Sequence, residues 1–502
     1  MQLRSHGRHS LNIHQVMKFH IWAGVLCSFI ILHSGNIYAA QEKTLPTDGA
    51  ITRAVESTLL LDENVPSHLI DIRTEQGIVT LIGAMPHYRA KDRAVKLVET
   101  VKGVESVIDG LTVIVSKRPD EEIREKVRLA LQDDPATDSY KIDVSVEHGT
   151  VTLTGTVPSW AARALSEWVV SGVYGVRDIE DKLLIEKKED RADDVLLEEI
   201  QKRLKADVWV NDGTVLVTVK DGTVTLDGLV GSVAEKRRVL RDVQVAGVNE
   251  VDDSLLFVKA WAKGKNRRKG QPGYKSDDEI KETLLLAYAY DPRVSVFNPT
   301  IDVRHGMVTL TGVVDNLKAK QAAEDVAKYT RGVLWVKNFL KVRPNNPIED
   351  DALKRKVEMA LHEDAFINRF LVNVSVRDGV VVLRGSVESH FQKKHAQDAV
   401  AGVKGVIAVK NKLVVEETWI WKPDSVIQRE IESELWWSPF VDHDDISVKV
   451  EAGVATLSGT VENYFEYETA LENAREGGAR RIESLLTIRK YLGFDVLPDQ
   501  PL

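Results

Sequence analysis

The stretch HGTVTLTGTVPSWAARA (His148–Ala164) decides the fold. Inside it, Gly149 and Gly155 bracket a Gly-x-Val-x-Leu-x-Gly motif. Apolar residues alternate with polar ones on both sides of Gly149, at Val144 and Val146 before it and at Val151 and Leu153 after it. Period-two alternation across a tight turn marks a β-hairpin with one buried face. Four residues beyond Gly155 stands Ser159, a helix N-cap residue, so a helix is expected to begin there. Upstream, Ile123, Val127 and Leu131 recur four apart and put one apolar stripe on an earlier helix. Downstream, Gly175 ends the second helix, and Val176, Ile179, Asp181 and Leu183 set the rhythm of a third strand. The local order is helix, strand, strand, helix, strand.

The same order recurs six times. The first glycines of the motif are Gly77, Gly149, Gly222, Gly306, Gly379 and Gly453, and their partners six residues on are Gly83, Gly155, Gly228, Gly312, Gly385 and Gly459. The intervals between first glycines are 72, 73, 84, 73 and 74 residues, a period long enough for each copy to be a small domain. Ser232, Asn316, Ser389 and Asn463 repeat the N-cap of Ser159, whereas copy one has His87 there. Asp120, Asp277, Asp350 and Asp424 lie near the first-helix starts, where an anionic cap is favoured. The expected architecture is α+β: six tandem αββαβ modules, each a three-stranded mixed sheet covered on one face by two helices. The expected boundaries are 48–116, 119–187, 191–259, 276–343, 348–416 and 422–490, with a tail at 491–502. The long interval belongs to a basic, Gly-rich linker at 260–275, which holds Lys263, Lys265, Arg267, Arg268 and Lys269 and reads as a flexible hinge dividing the chain three plus three.

The N-terminus has the pattern of an export signal, expected over 1–40. A twelve-residue apolar run, Ile21 to Leu32, follows Lys18 and precedes Ala39-Ala40. Such a run is short for a membrane span and right for a signal-peptide core. Met17-Lys18 makes the tidier start for it, so translation from Met17 is expected. The one cysteine, Cys27, lies in this segment, so the exported chain would have no disulfide, thiol nucleophile or cysteine-bound zinc. Removing the three cations of 1–40 takes the net charge from -9 to -12, which disfavours nucleic acid as a partner.

The hairpin motif, together with endings such as Val101 to Leu111 and Val403 to Leu413, resembles the BON domain, the bacterial OsmY and nodulation domain. The resemblance runs from about residue 48 to about residue 490. Copy six departs from it at Ala455 and Ala479, where valine is usual. The resemblance implies a non-enzymatic envelope module associated with phospholipid surfaces and osmotic-stress protection, of a kind also found appended to secretins and channels.

No catalytic constellation is legible: no P-loop, His-Glu-x-x-His or nucleophile elbow occurs. No catalytic residue, metal site, cofactor or small-molecule substrate is therefore expected. His362, His390 and His395 form the nearest thing to a histidine cluster, and Asp133-Asp134 and Asp444-Asp445 are acidic pairs best explained by turn chemistry. The repeated glycines are structural turns, since a phosphate cradle also needs a helix N-terminus. Aromatics collect where first helices run into first strands, notably Trp209, Tyr288, Tyr290, Phe297, Phe366, Phe370, Trp436, Trp437 and Phe440. Adjacent helical residues such as Trp436 and Trp437 do not both face inward. With Phe440, Trp419 and Trp421, they are the expected contact with a membrane or partner, and the linker cations are the second candidate. The expected function is a periplasmic envelope protein binding phospholipid membrane surfaces through its repeats. The alternative is a periplasmic protein–protein scaffold or chaperone-like holder, bound to an envelope protein.

Overall fold

Each first helix starts on an aspartate and runs for 14 residues: Asp48–Leu61, Asp120–Asp133, Asp193–Ala206, Asp277–Tyr290, Asp350–Glu363 and Asp424–Trp437. The computed structural model describes residues 46–62, 64–114, 118–138, 140–186, 191–263, 275–364, 366–367, 372–416 and 422–488. The leader 1–40, the linker residues Lys265, Arg267, Arg268 and Lys269, the tail 491–502, Phe370, Trp419 and Trp421 lie outside the described residues. From Asp48 onward the described residues belong to one unit.

In module two, the hairpin strands Lys141–Glu147 and Thr150–Val157 pair antiparallel, and the second strand pairs parallel with Asp178–Ile185. The sheet is mixed, as the sequence led one to expect, and all six modules place the second strand in the middle. In module four, the ladder is interrupted near Gly312 and resumes as a two-stranded piece, Val313–Val314 against Lys341–Val342. The helical stripe and the strand valines meet in one core per module. In module two these are Ile123, Val127, Leu131, Val151, Leu153 and Leu183, all buried.

The two glycines of the motif do different work. The first sits at φ between 72° and 81° in every copy, and the residue before it, such as His148 or Asp378, is also left-handed, at φ between 50° and 52°. Two consecutive positive φ values define a type I′ turn, whose twist matches the hairpin. The second glycine leaves room for the first strand: a Cβ at Gly155 would lie 2.3 Å from the Lys141 carbonyl oxygen. The second helices are capped as expected. Ser159, Ser232, Asn316, Ser389 and Asn463 each accept the amide three residues on, and in copy one His87 does the same with its ring.

The first-helix aspartates are not N-caps. The N-cap positions in modules two to six hold Pro119, Ala192, Ser276, Glu349 and Pro423, of which only Ser276 caps with its side chain. Each aspartate is instead the first helical residue, and its carboxylate reaches the hairpin tip. One oxygen accepts the amide of the first glycine and the other accepts the preceding amide, at 2.8 to 3.0 Å in all six modules.

The six modules are joined by seams that repeat. The backbone amide of Lys102 donates to the carbonyl of Trp437, joining modules one and six. The amide of Arg331 makes the equivalent bond to Ala206 at 2.9 Å, joining modules four and three. In both cases the acceptor is the last residue of a first helix, whose terminal carbonyls have no partner within the helix. Backbone bridges Val173–Asp364 and Thr330–Asp207 tie module two to five and four to three. Between modules two and five the side chains are reciprocal. Lys126 pairs with Glu363 at 3.1 Å and Lys356 with Asp133 at 2.8 Å, from matching positions on the two first helices. The pairing is nested: one with six, two with five, three with four.

Within each half a second relation runs cyclically through the first residue of each second helix. Tyr88 packs on the core of module two, the Trp160 indole donates to the Val248 carbonyl of module three at 3.4 Å, and Val233 packs on module one. In the other half, Leu317 packs on module five and Tyr464 meets Trp335 of module four edge-on at 5.7 Å.

Two outcomes test this architecture. Asp350→Ala leaves the Asp378 and Gly379 amides without their acceptor and should destabilise module five by about 1–3 kcal/mol, read as faster amide exchange there than in the other modules. A protease site placed within 264–274 and cleaved should leave two fragments that co-elute as one particle; their separation on gel filtration would contradict the nested seams.

Candidate functional site

The residues after the first helices organise the junctions. In five modules an aspartate follows the helix, and its carboxylate accepts the amide two residues on: Asp62 from Asn64, Asp134 from Ala136, Asp207 from Trp209, Asp291 from Arg293 and Asp364 from Phe366, at 2.7 to 3.0 Å. This Asx-turn closes the helix end. The same carboxylate then takes a cation, which is Arg93, Arg238 or Arg293 from its own module, or Lys318 of module four in the case of Asp134.

Asp364 gathers cations from two modules. His395 Nε2 lies 2.9 Å from its Oδ2, and Arg89 of module one approaches at 3.4 Å. Burial opposes its charge, but the hydrogen bond from His395 and the charges of His395 and Arg89 outweigh that and hold the carboxyl below its ordinary range. Arg89 also donates to the Trp168 carbonyl at 3.2 Å, and its guanidinium sits 4.6 Å from the Trp168 ring. His87 completes the junction, with Nδ1 accepting the Ala90 amide at 3.0 Å and its ring edge-on to Phe366 at 4.7 Å. Burial lowers the His87 pKa from 6.5 to about 4, with Asp364 opposing and Arg89 and His395 adding to the shift. Modules one, two and five meet here.

Beside this junction is a chamber of 570 Å³, bounded by first and second helices of modules two and five and the second helix of module four. Trp168, Tyr329 and Met359, three of the large apolar side chains left exposed, line it. Its charged walls are mostly the seams themselves: Lys126 with Glu363, Lys356 with Asp133, and Lys318 with Asp134. Among the described residues no group of three or more His, Cys, Asp or Glu could hold a metal. His362, His390 and His395 do not converge on one ion; His395 serves Asp364, and Asp133 and Asp134 serve their lysines.

Of the aromatic positions singled out in the sequence, Tyr288 and Phe297 pack in the core of module four, while several others lie between modules. Trp436 and Trp437 are half-buried and edge-on to each other at 4.6 Å. Trp437 packs against the core of module one, and the Lys102 ammonium lies 4.2 Å from the Trp436 ring. Phe440 meets Trp209 of module three at 4.3 Å and Phe465 at 5.6 Å. The reading that adjacent tryptophans cannot both enter one core is met by a second core: the neighbouring module supplies it. Lys263 ends the short helix Ala260–Lys263 after module three.

The sheets keep one face free of helices. On module five that face shows Arg377, Arg384, Lys410 and Lys412, all exposed. Sequence reading passed over these four; the signal was present in their even spacing, which places them on the side opposite the buried Val381, Leu383 and Leu413.

Repeated αββαβ units with one core each, capped, clasped and docked by the same positions, define a tandem array of small α+β domains. The chain belongs to the BON domain family, whose model matches residues 47–114, 119–187, 192–259, 276–344, 349–417 and 423–490. It is 32% identical over 143 residues to Osmotically-inducible protein Y of Escherichia coli (strain K12), covering 27% of this chain and 71% of that one. Among solved structures, it resembles two of CdsD, a structural protein of the Type III secretion system of Chlamydia trachomatis. One, of its C-terminal domain, is 18% identical and covers 41% of this chain and 96% of that one; the other is 17% identical and covers 44% and 99%; both have a TM-score of 0.12.

The His87 junction has a predicted pH signature. A histidine whose pKa is lowered in the folded state stabilises fully above its unfolded value and loses that contribution as pH falls from about 6.5 towards 4. The loss is on the order of 2–3 kcal/mol. Asparagine keeps a capping oxygen and does not titrate. The thermal midpoint of His87→Asn should therefore fall less steeply than that of the unaltered chain across this window; parallel slopes would rule the junction out as the titrating element.

Proposed function

We propose that this chain is a non-enzymatic periplasmic protein of osmotic or envelope stress protection that binds phospholipid membrane surfaces. The observation that carries the reading is the presentation of the modules: the helical layers dock on one another, and the sheets keep an exposed face. A surface of this kind suits a broad, shallow partner such as a bilayer better than a small molecule. Relationship to an osmotically inducible protein supports the stress context. The signal-like leader supports export. No helix among the described residues is long and apolar enough to cross a membrane, so attachment through these modules would be peripheral.

A second reading, a protein–protein scaffold, is favoured by the sheet edges. Among the described residues every sheet pairs only within its own module, so each offers a first strand and a third strand as edges to an extended peptide.

Co-sedimentation of the chain from Gln41 with vesicles separates the two. Binding to phosphatidylglycerol vesicles that is absent on phosphatidylcholine and fades as salt rises is the expected result. Failure to bind either lipid at any salt would remove the phospholipid reading and leave the scaffold.

A further inference from the structure

The outward sheet faces of the six modules are not equivalent in charge. In module two, the cations Lys141 and Lys182 share the face with Asp143, Glu147, Asp178 and Glu180, and Lys182 is paired with Glu180 at 2.7 Å. In module three, Lys220 shares it with Asp227, Glu250 and Asp252. In module six, Lys449 is paired with Glu451 at 2.6 Å and Arg481 with Glu483 at 2.9 Å. Module five alone has four cations and no acid on this face within its strands.

The register brings those cations together. Arg384 stands between Asn373 on the first strand and Lys412 on the third, and the next row along is Ser375, Val382 and Lys410. Arg377 follows one row further, opposite Val380 and Ala408. Neighbouring strands are about 4.8 Å apart and alternate residues about 7 Å, so the cations form one patch. Arg384 has only a 3.5 Å contact to the Ser375 hydroxyl, and Lys410 and Lys412 make no ion pair among the described residues. The acids nearest in sequence are at the borders: Asp378 at the hairpin tip, 3.8 Å from Arg377 in a fully solvated pair, and Glu388 and Glu416 beyond the strand ends. The apolar residues among the cations are small: Val380, Val382, Ala408 and the exposed Val414.

A flat sheet bearing cations, hydroxyls and small apolar side chains has no concavity for a single ion. It matches a surface of repeating negative charge. Resting on the phospholipid reading above, we propose that the outward sheet of module five is the docking face, and that its partner is a bilayer carrying anionic headgroups. The mixed or acidic faces of modules two and three gain nothing from such a surface, and module four, with Arg304, Lys337 and Lys341 on this face, has Arg304 paired with Asp302.

The test uses the full chain from Gln41 and vesicles of equal parts phosphatidylglycerol and phosphatidylcholine. The face variant is Arg384→Glu with Lys410→Glu and Lys412→Glu. The control variant, Lys141→Glu with Lys182→Glu and Lys449→Glu, makes the same change in net charge on other faces. All six positions are exposed, so both variants should keep the thermal midpoint of the unaltered chain. Each cation near an anionic surface contributes roughly fivefold in partitioning at low salt, so the face variant should bind at least about tenfold more weakly, while the control stays close to the unaltered chain. The glutamine version of the face variant, which removes charge without adding any, should fall between. Equal losses in both variants would mean that net charge alone matters and would overturn the docking face, as would a face variant that binds normally. Absence of binding by the unaltered chain would overturn the phospholipid reading itself, and the docking face with it.

Discussion

One carboxylate per module holds the local fold together. The aspartate at the head of each first helix accepts two consecutive amides at the tip of a hairpin 28 and 29 residues further on. A type I′ turn points those amides outward with no partner in the hairpin, and the anion satisfies both with charge-assisted bonds. It also fixes the helix against the sheet at one end, and the apolar stripe secures the rest. The six-fold recurrence of the arrangement, at nearly constant length, shows how narrowly it constrains the loop between helix and hairpin.

Docking of the modules uses the same economy of position. The end of a first helix and the entry to a third strand are the contact sites in all three nested pairs, but the side chains differ. Lysines meet carboxylates between modules two and five, Arg203 lies 4.1 Å from the Tyr290 ring between three and four, and Trp437 enters the neighbouring core between six and one. Chemically distinct versions of one geometry disfavour wrong pairings among six similar modules, because a mismatch would leave a seam charge or a tryptophan without its partner.

The element order, the mixed sheet, the core valines and the second-helix caps were legible in the sequence because each depends on spacing within a single copy. Gly149 with Gly155, or Ser159 with its helix, need only their neighbours. The role of Asp120 was half legible: its place near a helix start was clear, but its bond to His148 and Gly149 depends on how two elements meet. The seams were not legible. Lys126 and Glu363 are unremarkable surface residues in their own modules, and only the fold-back places them together. Trp436 and Trp437 show the same limit, since their adjacency signalled that one core could not hold both but did not reveal that a second core stood alongside. The cations of module five were hidden in another way: they sit at the polar positions of an alternating strand, where any charge reads as routine solvation.

The nested order of the pairs has a kinetic side. A chain made from its N-terminus completes modules one to three before any of their seam partners exists. Each module can close on short-range contacts, since its clasp spans under thirty residues. The seams then form at growing loop lengths: Arg331 to Asp212 spans 119 residues, Lys356 to Asp133 spans 223, and the bond from Lys102 to Trp437 is longer still. Loop-closure entropy favours the shortest first, and each closed seam shortens the effective loop for the next. Closure entropy thus favours the three long-range seams in order of increasing length, while module one is already held to modules two and three through Tyr88 and Val233.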